Sequence, residues 1–175
     1  MKNVQSSLLV CGLVSGPAHV TNVQDSVLVI SCRQLRMHDC RNVDVYLACS
    51  SRPIIEDCEG IRFGKLPNTY VSHTFRHYLY SSSLPLPFVA TSTLRRCLYA
   101  NEIQEHMHEH DDQGPPAPNM WDQVDDFKWL KAEQSPNWSI LPAKDTVQDE
   151  VWREIVPGGP GWTLEDILKA TGVLK

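Results

Sequence analysis

The sequence predicts a mainly β chain, a right-handed parallel β-helix (a solenoid) with flanking short helices, and three observations carry that prediction. Short runs rich in β-branched residues follow one another from Leu8 to Gly64. Asn, Asp, Gly and Ser punctuate these runs, and helical spacing is sustained nowhere in the stretch. Residue types also recur at a constant offset: Cys40-Arg41-Asn42-Val43-Asp44-Val45 aligns with Cys58-Glu59-Gly60-Ile61-Arg62-Phe63, an offset of 18 from Cys40 to Cys58. An antiparallel sandwich would not demand a constant offset, whereas stacked coils do.

The segment Ser6 to Val14 reads as strand. Next come the runs Val27–Ile30, Leu35–Met37 and Val43–Leu47. Carried backwards, the same offset places Val27 over Val45 over Phe63, Val29 over Leu47, Asp39 over Asp57 and Asn22 over Cys40. Inward and outward positions alternate along a strand. On that register Val27, Val29, Val45, Leu47, Ile61 and Phe63 face the interior, and Cys40 and Cys58 stack as a thiol ladder at one corner. Stacking of Asp39 on Asp57 reads as turn-capping. Arg36 falls over Ile54, so one coil carries an arginine where the next carries an apolar residue.

Beyond Gly64 the pattern weakens. Residues 66–98 read as an insertion, either a lineage-specific loop or a segment wrongly retained in the coding sequence, and 113–118 (Gln-Gly-Pro-Pro-Ala-Pro) as a linker. Trp121 to Leu130 has apolar residues at 121, 124, 127 and 130, the spacing of one short helix packed on the solenoid. Trp121 and Trp138 read as packing residues. Thr163 is a plausible N-cap with Asp166 three residues on, followed by Leu164, Ile167, Leu168 and Val173 as an apolar face. The expected organisation is a domain over 1–142, with 66–118 as insertion and linker, and a C-terminal extension over 143–175 bearing a short helix.

Composition sets the limits. A chain of 175 residues with 42% apolar content suits one ordinary domain. A net charge of −5 argues against a general phosphate-backbone binder, so no nucleic acid is expected. No apolar run approaches the roughly 20 residues of a membrane span, the N-terminus lacks a signal region, and Lys2 excludes N-myristoylation at this start site. These features lead to an expected cytoplasmic location without membrane insertion. The six cysteines include no CxxC pair and are expected to be reduced thiols, with no metal and no cofactor. The run His106-Met107-His108-Glu109-His110-Asp111-Asp112 reads as a solvated loop, because no second ligand cluster completes it.

Four stretches carry a family resemblance. Cys32-Arg33-Gln34-Leu35-Arg36-Met37-His38 resembles the C-x-Q-L/F-R motif of the tubulin-binding cofactor C family (the C-CAP/cofactor C-like domain). Ser51-Arg52-Pro53-Ile54-Ile55-Glu56-Asp57-Cys58-Glu59-Gly60-Ile61-Arg62-Phe63-Gly64 is similar to the stretch that follows it in the family. After the solenoid, Trp121 to Leu130 and Ser135-Pro136-Asn137-Trp138-Ser139-Ile140-Leu141-Pro142 are similar to further family segments. Full-length members also carry an N-terminal helical domain, whereas this chain begins almost at the solenoid.

The resemblance implies a GTPase-activating protein for β-tubulin that works with other tubulin cofactors in tubulin folding. A second branch acts on Arl-type small GTPases, and a related cytoskeletal branch implies a non-catalytic scaffold as a further alternative. The Val-Asp-Asp-Phe and Ser-Pro-Asn-Trp-Ser-Ile-Leu-Pro wording is closer to the tubulin branch. Arg36 would then be an arginine finger entering the partner's nucleotide site, with Gln34 on the same strand face assisting. Arg33, His38 and Glu56 would contact the partner. Arg33 departs from the Gln usual at that position. No Walker A motif is present, which agrees with nucleotide being bound by the partner.

Overall fold

Two residues three positions apart turn the chain at each coil. Asn22 and Asp25 hold positive φ, as do Asp39 and Asn42, then Asp57 and Gly60, with Asn3 and Ser6 beginning the series. Asn and Asp tolerate this left-handed region better than other side chains. At Gly60 (φ +64) a Cβ would lie 2.9 Å from the Asn42 Oδ1, so the turn there favours glycine. The corner residues bond between coils, Asn22 Nδ2 to Asn3 Oδ1 at 2.9 Å and Asn42 Nδ2 to Asp25 Oδ1 at 3.0 Å.

The computed structural model describes residues 1–67, 118–155 and 162–174. These form a parallel β-solenoid of about three turns with two short helices. The strands are β1 (Lys2–Gln5), β2 (Leu8–His38), β3 (Arg41–Cys49), β4 (Ile54–Glu56), β5 (Ile61–Lys65), β6 (Asp125–Asp126) and β7 (Trp138–Ile140). Every strand pairing described is parallel. The long strand β2 bends around a corner and serves two faces. Its Gln24–Cys32 portion pairs with β3, followed by β5 and β7, to make a long face. Its Arg36–His38 portion pairs with β4 and then β6 to make a short face.

The interior is a single apolar column. Leu28, Ile30, Val45, Leu47, Ile61 and Phe63 fill it from the long face, and Leu35, Met37 and Ile55 from the short face. Fully burying side chains of this size contributes about 1.5–3 kcal/mol each. Cys40 and Cys58 meet inside one corner as expected. Their shared hydrogen bond, and after it burial, push the Cys58 thiol far above its ordinary pKa, so it stays protonated. Cys32 and Cys49 form a second stacked pair across β2 and β3. Cys11, Cys32, Cys40, Cys49 and Cys58 are free thiols.

The register corrects part of the sequence reading. Offset 18 holds for Val45 over Phe63 and for Arg36 over Ile54. Between β2 and β3, however, the offset is 17: Leu28 pairs with Val45 and Ile30 with Leu47, while Val27 and Val29 pair with Asp44 and Tyr46. Asp25, not a residue aligned at 18, bonds Asn42. The difference lies at one corner. The coil through Arg33 and Gln34 is one residue shorter than the coil through Ser50 to Pro53. Val27 and Val29 therefore point out of the solenoid, and Asn22 does not align with Cys40.

These outward valines are nonetheless buried. They pack with Tyr46, Ala48 and Leu66 beneath Leu141 and Trp152. The segment after β7 supplies that cover with Leu141, Val147, Trp152 and Val173; it includes a 3-10 turn (Ala143–Asp145), helix α1 (Asp149–Ile155) and helix α2 (Leu164–Ala170). Trp152 is fully buried, and its ring meets Tyr46 edge-on with centroids 5.2 Å apart. The Val147 N–H donates to the Tyr46 hydroxyl at 2.9 Å. Arg62 forks onto Asp44 at 2.6 and 2.7 Å and reaches Asp145 at 2.9 Å, tying the turn to the long face. The expected capping box at Thr163 and Asp166 is present, but Leu164 is 72% exposed rather than part of an apolar face.

Trp121 to Leu130 is not a helix. Asp125–Asp126 joins β4 as a parallel strand, with the Asp125 N–H bonded to the Pro53 carbonyl at 2.9 Å and the Phe127 N–H to Ile55 at 3.0 Å. An open strand edge offers these groups partners on the solenoid itself, and that satisfies them better than a short helix at the surface. Among the described residues no helix is long and apolar enough to cross a membrane.

Candidate functional site

The short face is built from three stacked strands with alternating side chains. On β2, Leu35 and Met37 are buried in the core, which turns Gln34, Arg36 and His38 outward. On β4, Ile55 is buried and Ile54 and Glu56 face out. Arg36 lies over Ile54 and His38 over Glu56, and Asp125 of β6 continues the first line beyond Ile54. The structure thus brings Gln34, Arg36, His38 and Glu56 onto one surface. Arg33 sits beside them at the corner, exposed, with its carbonyl held by the Ser51 hydroxyl at 3.0 Å and the Cys49 thiol at 3.4 Å.

The charges on this face are unevenly matched. Arg52 binds Asp125 at 2.6 Å and donates from Nε to the Gln123 carbonyl at 3.3 Å. Lys128 lies 3.4 Å from Asp57 and 3.8 Å from Glu56, and His38 lies 3.5 Å from the same Asp57. Arg41 approaches Asp39 at 4.0 Å. Arg36 is exposed and has neither ion pair nor hydrogen bond to its side chain among the described residues, and the same holds for Arg33 and for Arg153 at the far end of α1. A rigid strand with both flanking side chains locked in the core therefore presents a free guanidinium. It is permanently charged, planar and matched to phosphate oxygens.

The segment that carries Lys128 is fastened by one carboxylate. Asp126 accepts from the Ser135 hydroxyl at 2.6 Å, the Asn137 amide at 2.7 Å and the Lys128 N–H at 3.0 Å. Burial acts to raise its pKa, but these donors prevail and hold it below the usual carboxylate range. Ser135 and Asn137 thus have a structural task. Trp138 meets Phe63 edge-on at 6.1 Å and Trp121 packs on the core, the roles expected of both.

Sequence reasoning singled out neither Arg52, Asp125 nor Lys128 as site residues. Arg52 stands within a recognised stretch, and its outward neighbour Ile54 was already aligned with Arg36. Asp125 and Lys128 come from about 70 residues further on, where no period reaches. Among the described residues no group of three or more His, Cys, Asp or Glu could hold a metal ion. The histidine run 106–112, Cys97 and nearly all of the expected insertion and linker lie outside the described residues.

Comparison with known proteins gives a consistent set of likenesses. The family described as Tubulin binding cofactor C matches residues 1–85. Tubulin-folding cofactor C of Arabidopsis thaliana is 35% identical over 136 residues, covering 78% of this chain and 30% of that protein. Tubulin-specific chaperone C of Homo sapiens is 31% identical over 146 residues, covering 83% of this chain and 33% of that protein. Protein XRP2 of Xenopus laevis is 29% identical over 121 residues, covering 69% and 25% respectively. Among solved structures, Tubulin Binding Cofactor C from Leishmania major superposes with a TM-score of 0.50 at 24% identity, covering 82% of each chain, which supports the solenoid fold. The chain spans about a third of the length of the tubulin cofactors it matches.

Proposed function

The chain belongs to the tubulin-binding cofactor C family, and on that premise we propose that it acts in tubulin folding in the cytoplasm, stimulating GTP hydrolysis by β-tubulin with Arg36 as an arginine finger. The observation that carries this reading is the state of Arg36: outward on a rigid strand, exposed, and without a carboxylate partner among the described residues. In phosphoryl transfer the catalyst must stabilise charge developing on phosphoryl oxygens. A guanidinium supplied in trans does this, and is worth about 10³–10⁵ in rate.

The short face supplies what else such a finger needs. Leu35 and Met37 fix the backbone on both sides, so little ordering remains to be done on binding. Gln34 stands one outward position before Arg36 and would contact the partner or its attacking water. His38 and Glu56 lie on the far side of Arg36 and Arg33 at the near corner. Together they form a polar rim around the finger, suited to partner recognition. Nucleotide and its metal are brought by the partner.

The test is GTP hydrolysis by β-tubulin with the partner cofactors present, comparing the chain with its Arg36→Ala variant. Stimulation that disappears in the variant while binding persists supports the finger. Equal rates for the two proteins remove Arg36 from catalysis and favour a scaffold. A second reading, the same chemistry on an Arl-type small GTPase, follows from the family's other branch and the likeness to Protein XRP2. Running the same pair of proteins against such a GTPase separates the two.

A further inference from the structure

We infer that Arg52 is a positioning residue: by holding Asp125 it keeps Arg36 unpaired and available. Among the described residues four ion-paired carboxylates stand at or beside the short face. Glu56 and Asp57 are held by Lys128, with His38 also on Asp57, and Asp39 is approached by Arg41. Asp125 is the one that stands in line with Arg36. Arg36 pairs with Ile54 and Ile54 with Asp125 in parallel register, so the three side chains project from one face on successive strands. Two strand spacings put Asp125 roughly 10 Å from Arg36 along the solenoid, a gap that an extended arginine and an aspartate close between them across the Ile54 side chain.

Arg52 pre-empts that pairing. Its terminal nitrogen binds the Asp125 carboxylate at 2.6 Å, and its Nε is fixed on the Gln123 carbonyl, so the guanidinium is anchored twice. Arg52 lies at the corner between β3 and β4, close in sequence to Asp125's strand partner Ile54, and therefore competes at short range. A free carboxylate at position 125 would draw the finger down along the face and away from any partner. Arg52 touches neither nucleotide nor the reacting atoms in this account, so its effect runs through the conformation of Arg36.

The test follows the Arg36 side chain directly, and needs no partner. The Nε–Hε resonance of Arg36, assigned by its loss in Arg36→Lys, reports exchange with water. In the unaltered chain that proton exchanges as in a free arginine. In Arg52→Met exchange slows by about two- to fivefold, the protection an exposed ion pair provides. In the double variant Arg52→Met, Asp125→Asn it returns to the starting rate, and in Arg52→Lys, which keeps the charge beside Asp125, it does not slow. The double variant shares the loss of the Gln123 contact, so its recovery separates charge from support of the loop. Unchanged exchange in Arg52→Met, or equal slowing in the double variant, overturns the inference. The same variants are then compared for stimulation of β-tubulin GTP hydrolysis, the one step that rests on the proposed function. Slowed exchange with undiminished stimulation upholds the positioning role and contradicts the finger itself.

Discussion

Tyr46 and Trp152, more than a hundred residues apart in the chain, meet edge-on with ring centroids 5.2 Å apart and an interplanar angle of 72° on the outside of the long face. This contact makes the C-terminal segment part of the solenoid's stability. Val27, Val29, Ala48 and Leu66 are apolar and outward because Trp152 and Leu141 cover them. Replacing Trp152 by Ala leaves that layer uncovered and costs about 3–5 kcal/mol. Chemical denaturation measures the loss, and hydrogen exchange should rise first in residues 143–155 and 162–174. A loss within 0.5 kcal/mol, the scale of an ordinary surface substitution, would show that the segment packs without stabilising.

The hydroxyl of Tyr46 adds a pH dependence. Burial pushes its pKa up to about 12, and the hydrogen bond from the Val147 N–H lowers it only in part. In the unfolded chain a tyrosine ionises near 10, an approximate reference value. Between those values the folded state keeps a proton that the unfolded state has released. The stabilisation is therefore complete below about pH 10 and is lost as pH rises toward 12. Tyr46→Phe should flatten this alkaline limb, at a cost of about 1–2 kcal/mol near neutral pH for the unpaired Val147 N–H. Identical alkaline limbs for the two proteins would place the hydroxyl in water.

Much of this architecture is legible in the sequence, and the exceptions have local causes. Cys40 over Cys58 and Val45 over Phe63 revealed stacked coils, because positions inside a solenoid repeat with the coil. Arg36 over Ile54 placed the candidate finger on an outward line. Carrying the same 18 residues back to Val27 failed, because the Arg33–Gln34 corner is one residue shorter than Ser50–Pro53. The error inverted which side chains face the core, and the apolar character of Val27 and Val29 concealed it. Cover by Trp152 cannot be read from a local pattern. The three-residue spacing of Trp121, Val124, Phe127 and Leu130 imitates a helix, yet Asp125 and Asp126 find a free strand edge, and Leu130 is left 94% exposed. The Asn, Asp and Gly residues at 22, 25, 39, 42, 57 and 60 were the better guide to coil length, since their left-handed turns mark each corner.

That corner series makes Gly60 sensitive. Its φ is +64, and an added Cβ would press on the Asn42 Oδ1 at 2.9 Å. Gly60→Ala should destabilise by about 1–2 kcal/mol, while Gly60→Asn should cost less because Asn tolerates the left-handed region. Thermal or urea melts of both variants measure the difference. Equal stability of Ala and Asn at this position would mean that the turn is not strained.

Leu66 belongs to the buried layer, but the remainder of the expected insertion and linker outside the described residues, 68–117, should be dispensable for folding. Leu66 bonds the Leu47 carbonyl at 3.3 Å and Met120 bonds that of Cys49 at 2.8 Å. Their acceptors are two residues apart on β3, a span of roughly 7 Å. A short Gly-Ser linker in place of 68–117 can join these ends, and closure entropy changes only slowly with loop length. Cooperative unfolding should be retained with stability within about 1 kcal/mol of the full chain. Loss of the cooperative transition would show that 68–117 contributes to the core.

The most direct test of the central claim replaces Arg36 by Lys and measures single-turnover GTP hydrolysis by β-tubulin with the partner cofactors, alongside binding. Lysine keeps the charge and loses the planar fork. The account predicts a fall in stimulated rate on the order of 10²-fold or more, with binding largely preserved. A lysine variant that stimulates as well as arginine would contradict the finger, and would leave the short face as a binding surface alone.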